Sequence, residues 1–586
     1  MIKKIVAFVS VLLVLTACSV NQNNESDKLH AIFADYWEFT LEQYPLFATS
    51  QGDQRFNDRL TDYSPAAIET RIAKELEILQ ELQQIDDTQL NEQDKINLEV
   101  FKRLRENDAA ENRFKAYLLP ITSRSGFHVS FPQIPDRVPF KTAKDYRDYV
   151  ARLNAFGRYT DQHIELLRRG LKEAISLAHV VIEGVEKSLE PHIVADAQAS
   201  LLFVPFKNFP DRIPESEQEQ LRQQGSDAII DIVVPAYRRF LKFMLDEYIP
   251  ETRKTIAASD LPDGKKFYEH RVRLYTSLNK SPKEVHETGI AEVNRIKKEM
   301  EQVIKDVGFQ GEFKEFVHFL RTGRRFYVNK SDQLMKEVAY VLKKMDGELP
   351  RLFKTLPRMS YGIKPVPDFI APKTTTAYYS RPAGDGTRAG FYYVNTYDLS
   401  SRPLYEIEAL SLHEAVPGHH LQIARQQELD NLPLFRRFAG FTAFVEGWAL
   451  YAERLGLECG FYEDPYSNFG RLTYEMWRAC RLVVDTGIHY FGWSRQRAID
   501  FMADRTALTL LNITNEVDRY IAWPGQALAY KTGELKIREL RKRAEQKLGI
   551  AFDIRDFHDR LLENGALPLD LLEQQINIWI GEESTR

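Results

Sequence analysis

Cysteine is nearly absent from this chain, with three in 586 residues. Cys18 falls at the end of an N-terminal apolar segment, and Cys459 and Cys480 alone are too few for a disulfide framework or a cysteine-based zinc site. They are expected as two separate buried thiols or, in an oxidising compartment, as one pair. An excess of one charge sign is also missing: 79 Lys and Arg stand against 84 Asp and Glu, a net charge of −5, with no long block of either sign. That balance excludes the electrostatic footprint of a nucleic-acid-binding protein and of a polybasic membrane patch. The apolar run at residues 5–15 falls short of the ~20 residues that span a bilayer comfortably. No internal repeat and no low-complexity domain is present, which sets aside repeat architectures.

What is there begins with an address. Lys3 and Lys4 precede the apolar run, which ends in Leu15-Thr16-Ala17-Cys18. A basic start, a short apolar core and small residues ahead of a lone cysteine resemble the export signal and lipobox of bacterial lipoproteins, so residues 1–18 are set apart from the fold. Cys18 is then the acylated first residue, and residues 19–30 are expected as a flexible polar tether. Ser19 after the cysteine resembles lipoproteins of the outer membrane, which places the protein at the periplasmic face in a Gram-negative cell. The alternative is an ordinary secretory signal with an incidental cysteine.

A hydrophobic fraction of 44% supplies a large core. From residue 31 onward apolar side chains recur three and four apart, so the fold class is mainly α. Helical stretches are expected at about 66–106, 143–188, 216–247, 281–307 and 331–348. The clearest start is Ser281-Pro282-Lys283-Glu284, with a serine cap, proline at the first helical position and a glutamate to close a capping box. Residues 361–400 differ, being broken by Pro, Gly and Thr. There we expect a short hairpin, 374–379 with 390–397, around the Gly384-Asp385-Gly386 turn. A soft boundary near 260–264 divides an N-terminal helical lobe, 31–260, from a catalytic lobe, 261–586.

Three of the 13 histidines fall within residues 413–420, His413-Glu414-Ala415-Val416-Pro417-Gly418-His419-His420. In an HExxH helix the two histidines face one side and bind zinc, while the glutamate activates a water. Here the second histidine arrives two or three residues late. On a regular helix a six-residue step turns the side chain ~120° away, and a seven-residue step travels ~10 Å along the axis. Pro417-Gly418 supplies the remedy, since proline interrupts the helical hydrogen bonds and glycine tolerates unusual dihedrals. A kink there brings His419 back to a metal; His420 is the substitute. The bland reading is a helix C-terminus with solvated histidines.

A third ligand is offered downstream. Residues 441–457 form a strong helix in which Glu446 sits among Thr442, Ala443, Ala449 and Leu450. Such a carboxylate either needs a partner, which a metal provides, or shares a solvated face with Glu453. A further helix, 474–491, carries Arg481, Asp485 and His489 on one stripe; Arg481 and Asp485 are expected to pair, leaving His489 for the site. Donors to a developing oxyanion are His489, Tyr520 and Tyr530.

Taken together, HEAVPGHHLQ at 413–422, EGWALYAE at 446–453, RLVVDTGIHYFGW at 481–493 and YIAWPGQALAY at 520–530 resemble the bacterial domain-of-unknown-function family 885 over nearly the whole exported chain. More distantly, the pattern is similar to the helical zinc peptidases of the carboxypeptidase Taq and angiotensin-converting enzyme type, whose HExGH segment precedes a metal-binding glutamate on a later helix. That resemblance implies a large two-lobed helical zincin-like body with a central cleft and a small β-hairpin beside the active-site helix. It also implies zinc as cofactor, His413, His419 and Glu446 as ligands, and Glu414 as general base. The expected activity is hydrolysis of peptide substrates, with His489 or Tyr530 holding the oxyanion. The strand 391–396 is expected to pair with an extended substrate, and Arg381 or Arg388 to meet a substrate carboxylate unless they are solvated loop residues. The alternatives are a non-catalytic lipoprotein that binds peptide or cell-wall fragments, and a zinc amidase.

Overall fold

A computed structural model describes residues 25–122, 125–368 and 371–585. The export signal, Cys18 and the first part of the expected tether lie outside the described residues. Residues 25–43 are helical and Leu29 is fully buried, so the tether expected up to residue 30 gives way to folded structure by residue 25.

Helices dominate, as the three-four periodicity requires. The stretch expected at 66–106 is two helices, Pro65–Leu82 and Glu92–Arg113. The one expected at 143–188 is regular only over Ala143–Lys172 before breaking into single turns. From Glu215 to Glu251 the chain is continuously helical, interrupted by π-helical segments at Ala228–Val233 and Met244–Tyr248. Ser281 caps helix α1 (Pro282–Asp306): its hydroxyl accepts from the Glu284 amide, and the Glu284 carboxylate accepts from the Ser281 amide at 2.8 Å.

One apolar cluster runs from Leu29 to Ile580 and crosses the boundary expected near 260. Phe435, far along the chain, packs at 4.8 Å from both Phe33 and Phe101, and Arg436 donates to the Asn97 side chain at 2.7 Å. The two halves of the sequence therefore share their core, which holds the site elements against a large and rigid body.

The irregular stretch folds into a three-stranded sheet rather than a hairpin alone. Strand β1 (Tyr361–Pro365), β2 (Ala377–Ser380) and β3 (Gly390–Val394) lie in the order β1-β3-β2. β2 and β3 are antiparallel with Ala377 opposite Val394, as the turn predicted, while β1 joins β3 in parallel with Tyr361 opposite Gly390. β3 is thus the central strand, flanked on both sides. The expectation that residues 391–396 offer a free edge to substrate is corrected: β2 has that edge.

Helix α2 (Ile407–Glu414) packs against β2, and α3 (His419–Gln427), α4 (Thr442–Leu455), α5 (Pro465–His489), α6 (Leu510–Ala522) and α7 (Ala529–Leu548) contribute the remaining residues around the cleft. Helix α4 crosses α7 with backbones nearly touching. A Cβ on Gly447 would lie 2.4 Å from the Gly533 Cα, and one on Gly533 would lie 1.8 Å from the Ala443 carbonyl oxygen. Only glycine permits that approach, and it sets Tyr530, one turn before Gly533, beside the helix that carries Glu446.

Candidate metal centre

The segment after His413 resolves the spacing problem by leaving the helix altogether. Helix α2 ends at Glu414, a turn through Ala415–Gly418 follows with a cis Val416-Pro417 peptide, and His419 opens α3. The His420 amide donates back to the Ala415 carbonyl at 2.9 Å. Gly418 is required where it stands, because a Cβ there would sit 1.9 Å from the His413 carbonyl oxygen. From α4, the Trp448 indole nitrogen donates to the Pro417 carbonyl at 2.8 Å, which ties the turn to the helix bearing Glu446.

This break brings together what the helix separates. The Nε2 atoms of His413 and His419 lie 3.7 and 3.5 Å from Glu446 Oε2, and one ligand atom from each of the three residues falls within 4.8 Å of the others. The two imidazole rings stand nearly perpendicular with centroids 4.8 Å apart. Ligand atoms at zinc distances in a tetrahedron are roughly 3.4 Å apart, so the spacing is that of groups converging on a shared cation rather than hydrogen-bonding one another. Two imidazoles and one carboxylate are a donor set that could hold a zinc ion.

A second carboxylate stands behind the first histidine. His413 Nδ1 donates to Glu453 Oε1 at 2.7 Å, which selects the tautomer whose Nε2 lone pair faces Glu446. Glu453 is 1% exposed, so its reading as part of a solvated face is corrected. It lies seven residues after Glu446, on the same side of α4 two turns later, and that spacing was the signal for it. Arg478 of α5 faces the same oxygen at 3.4 Å. Burial alone would depress the His413 pKa, but Glu446 and Glu453 outweigh it and raise it to about 9. Burial likewise acts to raise that of Glu446, and the two histidines reverse it, holding the carboxyl well below its ordinary range.

His420 does something else. Its Nδ1 accepts from the Tyr379 hydroxyl at 2.8 Å and its Nε2 donates to the Met359 carbonyl at 3.0 Å, so neither nitrogen is left for a metal. Burial pushes its pKa down to about 4. It fastens β2 to α3, and as a substitute ligand it is set aside.

The ligands form the floor of a cleft of about 1060 Å³, open mouth included. Glu414 lines it beside His413 and His419; one wall is the β2 edge from Thr375 to Tyr379, and the other is Tyr474, Trp477, Arg478 and Arg481 of α5 with Glu516, Arg519 and Tyr530. Tyr530 accepts a long hydrogen bond of 3.5 Å from Gln526. Burial first, then the charge of Glu446, raises its pKa, so it remains a protonated donor at neutral pH.

Three expectations for this wall are corrected. His489 is fully buried outside the cleft lining, its Nδ1 accepting from the Ala258 amide at 2.9 Å and its Nε2 donating to the Tyr520 carbonyl at 3.0 Å. With both nitrogens engaged in the backbone, it is a packing residue and not an oxyanion donor. Arg481 pairs with Glu516 at 3.0 Å instead of Asp485, which accepts from the Tyr268 hydroxyl at 2.6 Å and the Gly525 amide at 3.1 Å. The Tyr520 hydroxyl is taken up by Arg481 and Trp477, each at 3.0 Å, away from the cleft. Arg381 and Arg388 are exposed loop residues that do not line it, and Cys459 and Cys480 are separate buried thiols.

With this geometry in hand, the comparisons are informative about ancestry and silent about chemistry. The family model described as bacterial protein of unknown function, DUF885, matches residues 45–576. A candidate lipoprotein from Colwellia psychrerythraea is 29% identical over 95% of this chain and 99% of its own, with a TM-score of 0.90. A candidate lipoprotein of unknown function from Shewanella oneidensis, 17% identical over 93% and 99%, shares the fold with a TM-score of 0.68. No curated protein matches the chain. No helix among the described residues is long and apolar enough to cross a membrane.

Proposed function

Because the chain belongs to the bacterial family of unknown function DUF885, whose name carries no chemistry, the activity has to be read from the site, and we propose that the protein is a zinc-dependent metallopeptidase. The observation that carries this reading is the convergence of buried His413 with the partly buried His419 and Glu446, His413 being oriented by Glu453. The oxygen-and-nitrogen donor set favours zinc. Bound there, zinc would supply Lewis acidity, both acidifying water and polarising a peptide carbonyl.

The chain's own residues would do the rest. Glu414 takes a proton from the attacking water as the water oxygen bonds to the carbonyl carbon, and returns it to the amide nitrogen as the C–N bond breaks, giving one carboxylate and one amine. Tyr530 donates a hydrogen bond from its hydroxyl to the oxyanion as charge develops, and keeps its proton. The free edge of β2 presents backbone donors and acceptors to an extended peptide lying along the cleft. The lipobox-like Leu15-Thr16-Ala17-Cys18 and the candidate lipoproteins of the same fold support an exported chain anchored through lipid on Cys18; the proposal of the outer membrane in a Gram-negative cell rests on Ser19 alone.

The test is metal content by mass spectrometry, followed by turnover. About one zinc per chain is expected in the wild type and in His420→Asn, with loss in His413→Ala, His419→Ala and Glu446→Ala. Glu414→Gln should keep zinc and lose roughly a hundredfold or more in rate. A wild type that takes up no zinc sinks the reading. A wild type that holds zinc without cleaving any peptide returns the protein to a binding role or to an amidase on non-peptide amides.

A further inference from the structure

The wall of the cleft formed by α5 and α6 carries more cation than its ion pairs consume. Arg478 is matched by Glu453, and the cation of the proposed site would match Glu414 and Glu446. Arg481 and Arg519, however, share a single carboxylate, Glu516, at 3.0 and 2.9 Å. One positive charge is left over at that end of the cleft.

The unmatched group is held rigidly. The Arg481 side chain, 4% exposed, is wedged between the Trp477 and Tyr530 rings, each centroid 4.3 Å from its guanidinium carbon. Its Nε donates to the Tyr520 hydroxyl and its Nη2 to Glu516, while Nη1 has no partner among the described residues. A buried guanidinium nitrogen left without an acceptor is costly, and here it sits in a residue that lines the cleft. Arg519, 19% exposed, meets Glu516 through Nε and Nη2 and Gln526 through Nη1 at 2.6 Å, which leaves a second N–H on each Nη for a further acceptor. The ring of Tyr530 rests on Arg481, and Tyr530 lines the same cleft as Glu446. Cation and catalytic floor therefore flank the same tyrosine.

Resting on the peptidase reading above, we infer that Arg481 and Arg519 form the binding site for a substrate carboxylate. Planar guanidinium groups fixed in position are the side chains suited to that anion. The carboxylate is either the free C-terminus of the peptide, which makes the protein a carboxy-terminal exopeptidase, or the side chain of an Asp or Glu near the cleaved bond. This replaces Arg381 and Arg388 as the recognition residues.

The experiment offers the zinc-loaded full chain two peptide libraries of identical random sequence, one with free C-termini and one amidated, and reads cleavage by mass spectrometry. Faster cleavage of free-acid peptides, on the order of tenfold to a hundredfold, supports the C-terminal source. Cleavage of amidated peptides concentrated at sites next to Asp or Glu supports the side-chain source. Arg519→Gln and Arg481→Lys should erase whichever preference appears while zinc stoichiometry stays at the wild-type value. Because the library comparison is made on the wild type, it stands even where an Arg481 variant does not fold. Equal cleavage of both libraries with no acidic preference overturns the carboxylate site and leaves the peptidase reading intact. No cleavage of either library by zinc-loaded protein overturns both.

Discussion

Glu453→Gln separates the two things this buried carboxylate does. In the wild type it accepts from His413 Nδ1 at 2.7 Å and faces Arg478 at 3.4 Å. The glutamine keeps the size and an acceptor oxygen but removes the charge that makes the His413 lone pair a strong donor to a metal. Loss of such an orienting partner costs roughly 10–100-fold in metal affinity, or about 1.4–2.7 kcal/mol. The same change leaves the Arg478 guanidinium buried without its counter-charge, and breaking a buried pair from one side costs about 3–5 kcal/mol of folding stability. Competition titration of zinc against a chromophoric chelator measures the first quantity, and urea unfolding of the metal-free chain the second. Both should fall. Unchanged zinc affinity beside lowered stability would refute the argument, reducing Glu453 to a counter-ion of Arg478 with no part in preparing His413.

Other perturbations probe separate links. Gly418→Ala places a methyl where the His413 carbonyl oxygen lies 1.9 Å away; the turn must shift, at about 1–3 kcal/mol by unfolding, and zinc affinity measured by the same competition should drop at least about tenfold as His419 moves off the metal. Tyr530→Phe keeps the ring on Arg481 and removes only the oxyanion donor, so kcat is expected to fall roughly a hundredfold with KM little changed, in steady-state assays on a cleaved peptide. Asp485 is raised by burial from 3.8 to about 7, against the hydrogen bonds from Tyr268 and Gly525. Below pH ~4 it is protonated folded or unfolded and adds no pH dependence. As pH climbs from ~4 to ~7 the unfolded state ionises first, so stability falls by about 4 kcal/mol and then levels off. Urea unfolding at pH 5 and pH 8 should show about 2.6 kcal/mol of that fall in the wild type and a much flatter profile in Asp485→Asn.

The helical class, the capping box at Ser281 and the antiparallel pairing of β2 with β3 were legible in the sequence because each depends on neighbours a few residues apart. The same holds for the ingredients of the site. His413, Glu414 and His419 stand close in the chain around a Pro-Gly pair, and Glu446 sits on a helix too apolar for an idle carboxylate. What the periodicity could not convey is which partners meet across the fold. Arg481 and Asp485 look paired at helical spacing, yet each is claimed by a residue from another element, Glu516 for one and Tyr268 for the other. His489 and His420 look like ligands or donors by residue type, and become packing groups because a backbone amide and a carbonyl reach the two nitrogens of His489, and the Tyr379 hydroxyl and the Met359 carbonyl reach those of His420. β1 arrives in parallel from a segment with no strand signal of its own and covers one edge of β3, handing the open edge to β2.

By itself, then, the sequence determined the elements, the local break that repositions a histidine, and the residue types available for chemistry, since all of these follow from backbone and side-chain preferences over a few residues. Only the tertiary structure decided which histidine faces Glu446, that Glu453 stands behind His413, and that an arginine wall faces the β2 edge. Those are long-range meetings, set by glycine-lined helix crossings and a shared core that no local pattern encodes.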